Sequence, residues 1–362
     1  MGMPMGRAGG AALFVLTPMA LVAALNNAVA APASRKVPRI PFAERFEVTQ
    51  HGGMARAANS SITCRKAVVK AAARCTQARA GRGVNGDYEM FYTDVDKDPN
   101  TYNSSRAELR LPAGSRVSHA RLYWGGNLRA GEQKPHKDNR RVLIAEPGGQ
   151  YKEVLADTVT GHRTSARTDA FQASSDVTPL VRDSGSGSYT VAQINISRGR
   201  STAGAWGGWT LVVAYENQRE PLRHLALWDG FENIAPGRRR SVTVKGPRIP
   251  AGASGRVGLV AYDGDRGAGG DALSVGTDRR ATARMSDSAN PRNDVANSTI
   301  TTLGRSDGNR EPAYKNTLGY DSDVFDIKPA LRAGGSRTTV RLGTTKDSFQ
   351  AGALFLQTDA RR

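Results

Sequence analysis

GAWGGWTLVVAYENQREPLRHLALWDGFEN, residues 204–233, decides how this chain is read. Trp209 to Tyr215 is the strongest buried-strand signal outside the N-terminal leader, rich in β-branched and aromatic residues. The stretch also holds three of the four tryptophans. It lies near the middle of the chain, where one β-domain is expected to end and another to begin. On that reading Trp209–Tyr215 closes the first domain, Glu216 to Pro221 connects, and Leu222 to Trp228 enters the second.

Working outward, the same punctuation recurs. Short apolar or alternating runs are separated by glycine and proline throughout, and the chain contains Gly 40 and Pro 17 with hydrophobic residues at only 39%. Tyr88–Tyr92, Ala107–Leu111, Val117–Trp124, Arg141–Ala145, Tyr151–Leu155 and Tyr189–Ile196 read as strands before the central stretch. Ser241–Val244, Arg256–Tyr262, Asp271–Val275, Val340–Leu342 and Ala353–Gln357 read as strands after it. Long helical periodicity is absent. The fold class is therefore all-β, as two tandem β-sandwich or jelly-roll-like domains, 87–220 and 221–362. Ahead of them, residues 44–86 are read as an N-terminal strand, Glu44–Gln50, and a disulfide loop. An alanine-rich stretch in that region, residues 65–80, is compatible with a helical turn.

The two domains look like copies. LPAGSRVSHARLYWGG (111–126) matches IPAGASGRVGLVAYDGD (249–265) as a turn followed by an apolar strand. Asp176–Val181 before a Ser/Gly hairpin loop and SYTVAQI matches Asp326–Leu331 before Gly334-Gly335-Ser336 and RTTVRLG. GGWTLVVAYE (207–216) matches AGALFLQTD (351–359). The three pairs keep the same order, which suggests an internal duplication. One large two-sheet sandwich that reuses turn chemistry is the competing reading.

The N-terminus reads as a secretory signal. Arg7 is followed by an apolar stretch, Ala11–Leu25, and by Ala28-Val29-Ala30, a small-residue cleavage site. Residues 1–30 are thus a signal peptide cleaved after Ala30, and 31–43 a flexible basic leader. The expected location is secreted or extracellular, with cell-surface association and no transmembrane segment in the mature chain. Cys64 and Cys75, the only cysteines, form an isolated pair in an exported chain and read as a disulfide.

The formal net charge is +18, from 51 Lys and Arg against 33 Asp and Glu. Such a surface suits an anionic cell-envelope polymer. It is equally a solvated surface rich in arginine. No zinc-finger spacing, RNP aromatic signature or helix-turn-helix pattern accompanies the charge, so nucleic acid is not an expected partner.

Asp94-x-Asp96-x-Asp98 is the sharpest candidate for chemistry. Alternating carboxylates on a loop can converge on calcium, with Asn100 and Asn103 adding amide oxygens. Pro99 and the lack of a Glu at the twelfth position exclude an EF-hand. The plain alternative is a turn whose carboxylates cap local N–H groups. Asp263, Asp265 and Asp271 form a second cluster in a glycine-rich loop, able to hold a metal or a hydroxylated ligand or simply to be a flexible loop. Trp124, Trp206 and Trp228 are either core or a sugar platform, and a glycan is accordingly an alternative partner. The histidines (His51, His119, His136, His162, His224) are scattered, and no His-Glu-x-x-His or Gly-x-Ser-x-Gly occurs. A non-enzymatic protein is the expectation, with a carbohydrate-active one as the alternative.

DYEMFYTDVDKDPNTYNSS, ARLYWGG, GWTLVVAYENQREPLRHLALWDGF, AYDGDRGAGGDALSVG and NTLGYDSDVFDI resemble the N-terminal region of bacterial secreted and cell-surface proteins that carry DUF11 repeats, and the region is also similar to the DUF3344 surface-protein family. The resemblance runs over about residues 44–358. It implies an exported β-rich protein and carries over no catalytic residues. The chain stops at Arg362 without a repeat array or wall-sorting tail. Free secretion or electrostatic retention is therefore expected in place of covalent anchoring.

Overall fold

Side chains of the central strand alternate between two separate cores. Trp209, Leu211 and Val213 enter one, and Val212 enters another. A strand buried on both faces needs apolar residues at every position, which is why this run does not alternate with polar ones. The computed structural model describes Met1 and residues 40–361, apart from 97, 165–167 and 279. Beyond Met1, the expected signal peptide and residues 31–39 of the expected leader lie outside the described residues.

The first half contributes β1 (Ile40–Ser60), β2 (Ile62–Ala67), β3 (Tyr88–Tyr92), β4 (Ser104–Leu109), β5 (Arg116–Asn127), β6 (Arg141–Ala145), β7 (Lys152–Leu155), β8 (Thr158–Thr164), β9 (Asp169–Asp176), β10 (Gly187–Ala192) and β11 (Gly207–Glu216). The second contributes β12 (Leu222–Ile234), β13 (Arg239–Lys245), β14 (Gly255–Tyr262), β15 (Ala272–Thr277), β16 (Arg280–Arg284), β17 (Ile300–Thr302), β18 (Arg305–Ser306), β19 (Arg310–Glu311), β20 (Tyr320–Asp326), β21 (Arg337–Gly343) and β22 (Phe349–Asp359). Among the described residues there are also two short α-helices, α1 (Cys75–Arg79) and α2 (Thr178–Ser184), and three 3-10 turns.

In the first half the order β1-β11-β5-β9 faces β4-β10-β6-β7. In the second, β12-β22-β14-β20 faces β13-β21-β15-β16. Setting aside the β2–β3 hairpin and the short edge strands, both halves have the same connectivity. The first strand of each lies beside its last, and the second beside its next-to-last. That is the jelly roll, two Greek keys wrapped into a sandwich. The three sequence pairs fall on equivalent places: β5 with β14, the β9–β10 connection with the β20–β21 connection, and β11 with β22.

The turn after β11, where a boundary at 220/221 is expected, joins two jelly rolls that share an 11-stranded sheet. β1 makes the junction. Its residues 52–60 pair with β11 and its residues 40–51 pair with β12, both antiparallel. Each jelly roll has its own core. A third core lies where their shared-sheet faces meet, containing Tyr123, Trp206, Val212, Leu227, Phe231, Tyr262, Tyr320 and Phe355. The halves also interlock, because β19 from the second pairs with β4 of the first.

Three local expectations change. The strand expected at Glu44–Gln50 begins at Ile40, so residues 40–43 of the expected flexible leader are paired with β12, and it extends to Ser60 through a run of glycine and alanine. Gly52 explains that composition: at φ +140° a Cβ there would lie 1.9 Å from the Tyr215 carbonyl oxygen. Within 65–80 the chain forms the end of β2 and only the five-residue α1. The Ser/Gly hairpin loop expected at 184–188 is shortened, because α2 runs to Ser184 and β10 starts at Gly187; Pro179 lies in the first turn of α2 and Gly185 at φ 66° ends it. Asp176 Oδ1 accepts from Thr178 N at 2.8 Å, and Asp326 Oδ1 accepts from Lys328 N at 2.9 Å in the equivalent turn.

Candidate functional site

The Asp94–Asp98 loop bonds to itself. Asp94 Oδ1 accepts from the Ser104 hydroxyl at 2.8 Å, and that hydroxyl oxygen accepts from Val95 N. Asp96 Oδ1 accepts from Asp98 N at 2.9 Å and from Thr101 Oγ1 at 3.1 Å, while Tyr151 donates to Oδ2. These bonds hold the Asp96 carboxyl below its usual range despite the opposing effect of burial. Asp98 Oδ1 accepts from Asn100 N at 2.9 Å. Asn103 faces elsewhere: Nδ2 donates to Ile194 O at 2.8 Å and Oδ1 accepts from Ile194 N at 3.0 Å. Its amide is thus used in fixing β4 to the segment after β10. Among the described residues no three His, Cys, Asp or Glu side chains group closely enough to hold a metal ion. The turn chemistry accounts for these residues as placed.

Asp263, Asp265 and Asp271 are brought into a larger acidic cluster that sequence spacing does not reveal. Asp294, from the loop before β17, and Asp347, from the loop before β22, join it. Burial, then Asp347, Asp87, Asp271 and Asp294, push the Asp265 carboxyl up to about 7. Burial, then Asp294 and Asp347 against a bond from Ala296 N, push Asp271 up to about 7. Burial first, with Asp265 and Asp347, raises Asp263 well above its ordinary range. Asp265 Oδ1 and Asp294 Oδ1 are sealed from solvent without a hydrogen-bond partner. Such a cluster retains protons into the neutral range.

Trp124 and Trp206 are fully buried, so neither can present a face to a sugar. Trp124 Nε1 donates to Asn139 O at 2.8 Å, the polar handle of a core residue. Trp228 is partly buried against the second core. The sugar platform expected as one reading of these residues is therefore not assembled. Cys64 and Cys75 are disulfide-bonded, with Cα atoms 5.4 Å apart, and the bond ties β2 to the start of α1.

The most site-like feature is a cleft of about 450 Å³ where the two jelly rolls meet along β1. Arg56 and Arg310 form its inner part, Arg110 and Arg256 its exposed rim, and Glu108 and Asp307 its acidic members. Four guanidinium groups against two carboxylates leave an excess of positive charge. Arg56 Nη2 donates to Thr301 O at 3.0 Å, Thr302 Oγ1 at 3.0 Å and Asp307 Oδ2 at 2.5 Å. Arg310 Nη1 donates to Asn59 Oδ1 and Pro312 O, both at 3.3 Å. Arg56 Nη1 and Arg310 Nε are buried and have no partner. Burial, reinforced by Arg56, lowers Arg310 to about 10. Sequence reasoning missed this cleft because its arginines come from β1, the residue after β4, β14 and β19, about 250 residues apart at the extreme.

No protein-family model and no curated protein matches the chain. Solved structures similar to it include a β-porphyranase of glycoside hydrolase family 86 from the human gut bacterium Bacteroides plebeius, at 12% identity and TM-score 0.23, over 77% of this chain and 39% of that one. The chain thus spans about two fifths of the porphyranase. The STIV MCP is similar at 8% identity and TM-score 0.20, over 70% of this chain and 90% of that one. The infectious bursal disease virus Gt strain structure is similar at 11% identity and TM-score 0.21, over 91% and 75%.

Proposed function

We propose that this chain is a secreted, non-enzymatic binding or structural protein of the bacterial cell envelope, held on anionic polymer by its positive charge. The observation that carries the reading is the net charge of +18. Burial sharpens it. Asp229, Asp321 and Asp323 are fully buried, so part of the negative charge is withdrawn from the surface, while Arg238 and Arg239 stand exposed. The outward face is more basic than the formula suggests. The motif resemblance to the N-terminal region of DUF11-bearing surface proteins points the same way.

Attraction between exposed charges is screened within about 8–10 Å at physiological salt and within about 3 Å at 1 M. The protein should therefore bind isolated envelope polymer at low salt and wash off in molar sodium chloride. Retention through the high-salt wash, or no association at low salt, would refute the reading.

A further inference from the structure

We propose that the cleft between the two jelly rolls is a binding site for a single oxyanion, a carboxylate or phosphate group carried by an acidic polymer, with Arg56 and Arg310 as its inner donors and Arg256 at its rim. The site deepens the reading above and rests on it for the source of the ligand. Its volume, about 450 Å³, lies within the range of small-molecule pockets. Arg56 and Arg310 repel one another in a buried setting and share Asp307 as a nearby counter-charge. Each also keeps one buried N–H without an acceptor.

A buried donor left unpaired is costly, and an oxyanion is the acceptor a guanidinium fits best. Both nitrogens are sealed from the cleft as placed, so an anion would accept from them once the two side chains turn toward it, and would then offset their repulsion. Ala57 and Phe355 line the same cleft and give it apolar wall, suited to the uncharged part of a polymer unit. Glu108 and Asp307 line the same cleft and would repel a second anion, so one acidic group is the expected load.

The test titrates the full chain calorimetrically with inorganic phosphate, a glycerol-phosphate oligomer and a galacturonic acid oligomer. Saturable binding of at least one is expected, and the tighter of the two oligomers identifies the source. Arg56→Gln should weaken it by about tenfold or more, as for loss of a charge-assisted hydrogen bond. Arg256→Gln, at the exposed rim, should weaken it by about threefold without changing the melting temperature, which keeps the test valid if the Arg56 variant folds poorly. A triple Arg238→Gln, Arg239→Gln, Arg240→Gln variant should bind these probes like the wild type. No saturable binding by any probe, or equal weakening in the triple variant, would overturn the site. The two proposals separate cleanly. If the Arg256 variant binds small anions normally while salt-sensitive polymer retention persists, the cleft fails and the retention reading stands. If small anions bind but the polymer does not, the reverse holds.

Discussion

Replacing Asp265 with asparagine should stabilise the protein above neutral pH. The carboxyl ionises near 3.8 in an unfolded chain, whereas burial and its acidic neighbours keep it protonated in the fold up to about 7. A raised folded-state value means that this proton favours the fold fully below pH 4, and that the benefit is lost as pH rises through 7. Above that range the gap corresponds to about 4 kcal/mol, and relaxation of the loop brings the expected figure to about 2–4 kcal/mol. Asparagine is close in shape and never ionises, and Oδ1 has no hydrogen bond to lose. With an unfolding entropy of about 0.7 kcal/mol/K for a chain of this size, the melting temperature of Asp265→Asn should exceed that of the wild type by about 3–6 °C at pH 8. At pH 4 the two should nearly coincide. Thermal melts followed by circular dichroism in the presence of a chelator measure both. A variant no more stable than wild type at pH 8, or shifted equally at both pH values, would refute the reasoning. Added calcium extends the same experiment to the two acidic loops: an ion bound at Asp263–Asp271 would raise the wild-type midpoint by mass action and leave Asp265→Asn less affected, whereas one bound at Asp94–Asp98 would raise both alike.

Other expectations concern packing and processing. Asp229 is buried between Arg45 at 2.6 Å, Tyr123 Oη at 3.2 Å and Arg121 at 3.5 Å, so Asp229→Ala should cost about 3 kcal/mol or more in denaturant unfolding. Gly258→Ala would place a Cβ 1.9 Å from the Phe355 ring and should cost about 1–3 kcal/mol, with Phe355→Leu in the same chain recovering part of it. Removing both Cys64 and Cys75 opens a loop of sequence separation 11 and should lower stability by about 2–3 kcal/mol, with no further effect of reductant. Mass spectrometry of the exported protein should find Ala31 as its first residue; an intact Met1 on exported material would refute cleavage after Ala30.

The strands were legible wherever burial demands apolar runs. Trp209–Tyr215 and Ala353–Gln357 sit against two cores at once, so their composition shows through a chain of modest overall hydrophobicity. The second half of β1 was not legible. A Cβ at Gly52 would meet the Tyr215 backbone and one at Gly53 the Tyr215 hydroxyl, so the glycines needed there leave a sequence that resembles a loop. α2 was not legible either, since it is only seven residues long and Pro179 opens a helix as readily as it marks a turn. Buried tryptophans and platform tryptophans share the same neighbours in sequence, and only the fold separates them, with Trp124 in the first core and Trp206 in the third. The acidic cluster was visible at Asp263, Asp265 and Asp271 because glycine-rich loops concentrate acids. Asp294 and Asp347 arrive from other loops by topology alone. The arginine cleft left no local trace for the same reason.

β1 has a temporal consequence. It is the first strand of the described chain to be made, yet its partners β11 and β12 begin at residues 207 and 222. The strand must therefore wait, with one edge matched to each jelly roll, until more than half of the chain has been made. Pairings so distant in sequence close slowly, since the loop entropy is spent before the contacts are gained. The first jelly roll cannot seat its own opening strand until its last one arrives, and that strand then carries a ready template for the second. Assembly is expected to run from one roll into the other across this seam, with the seam itself as the late, shared step.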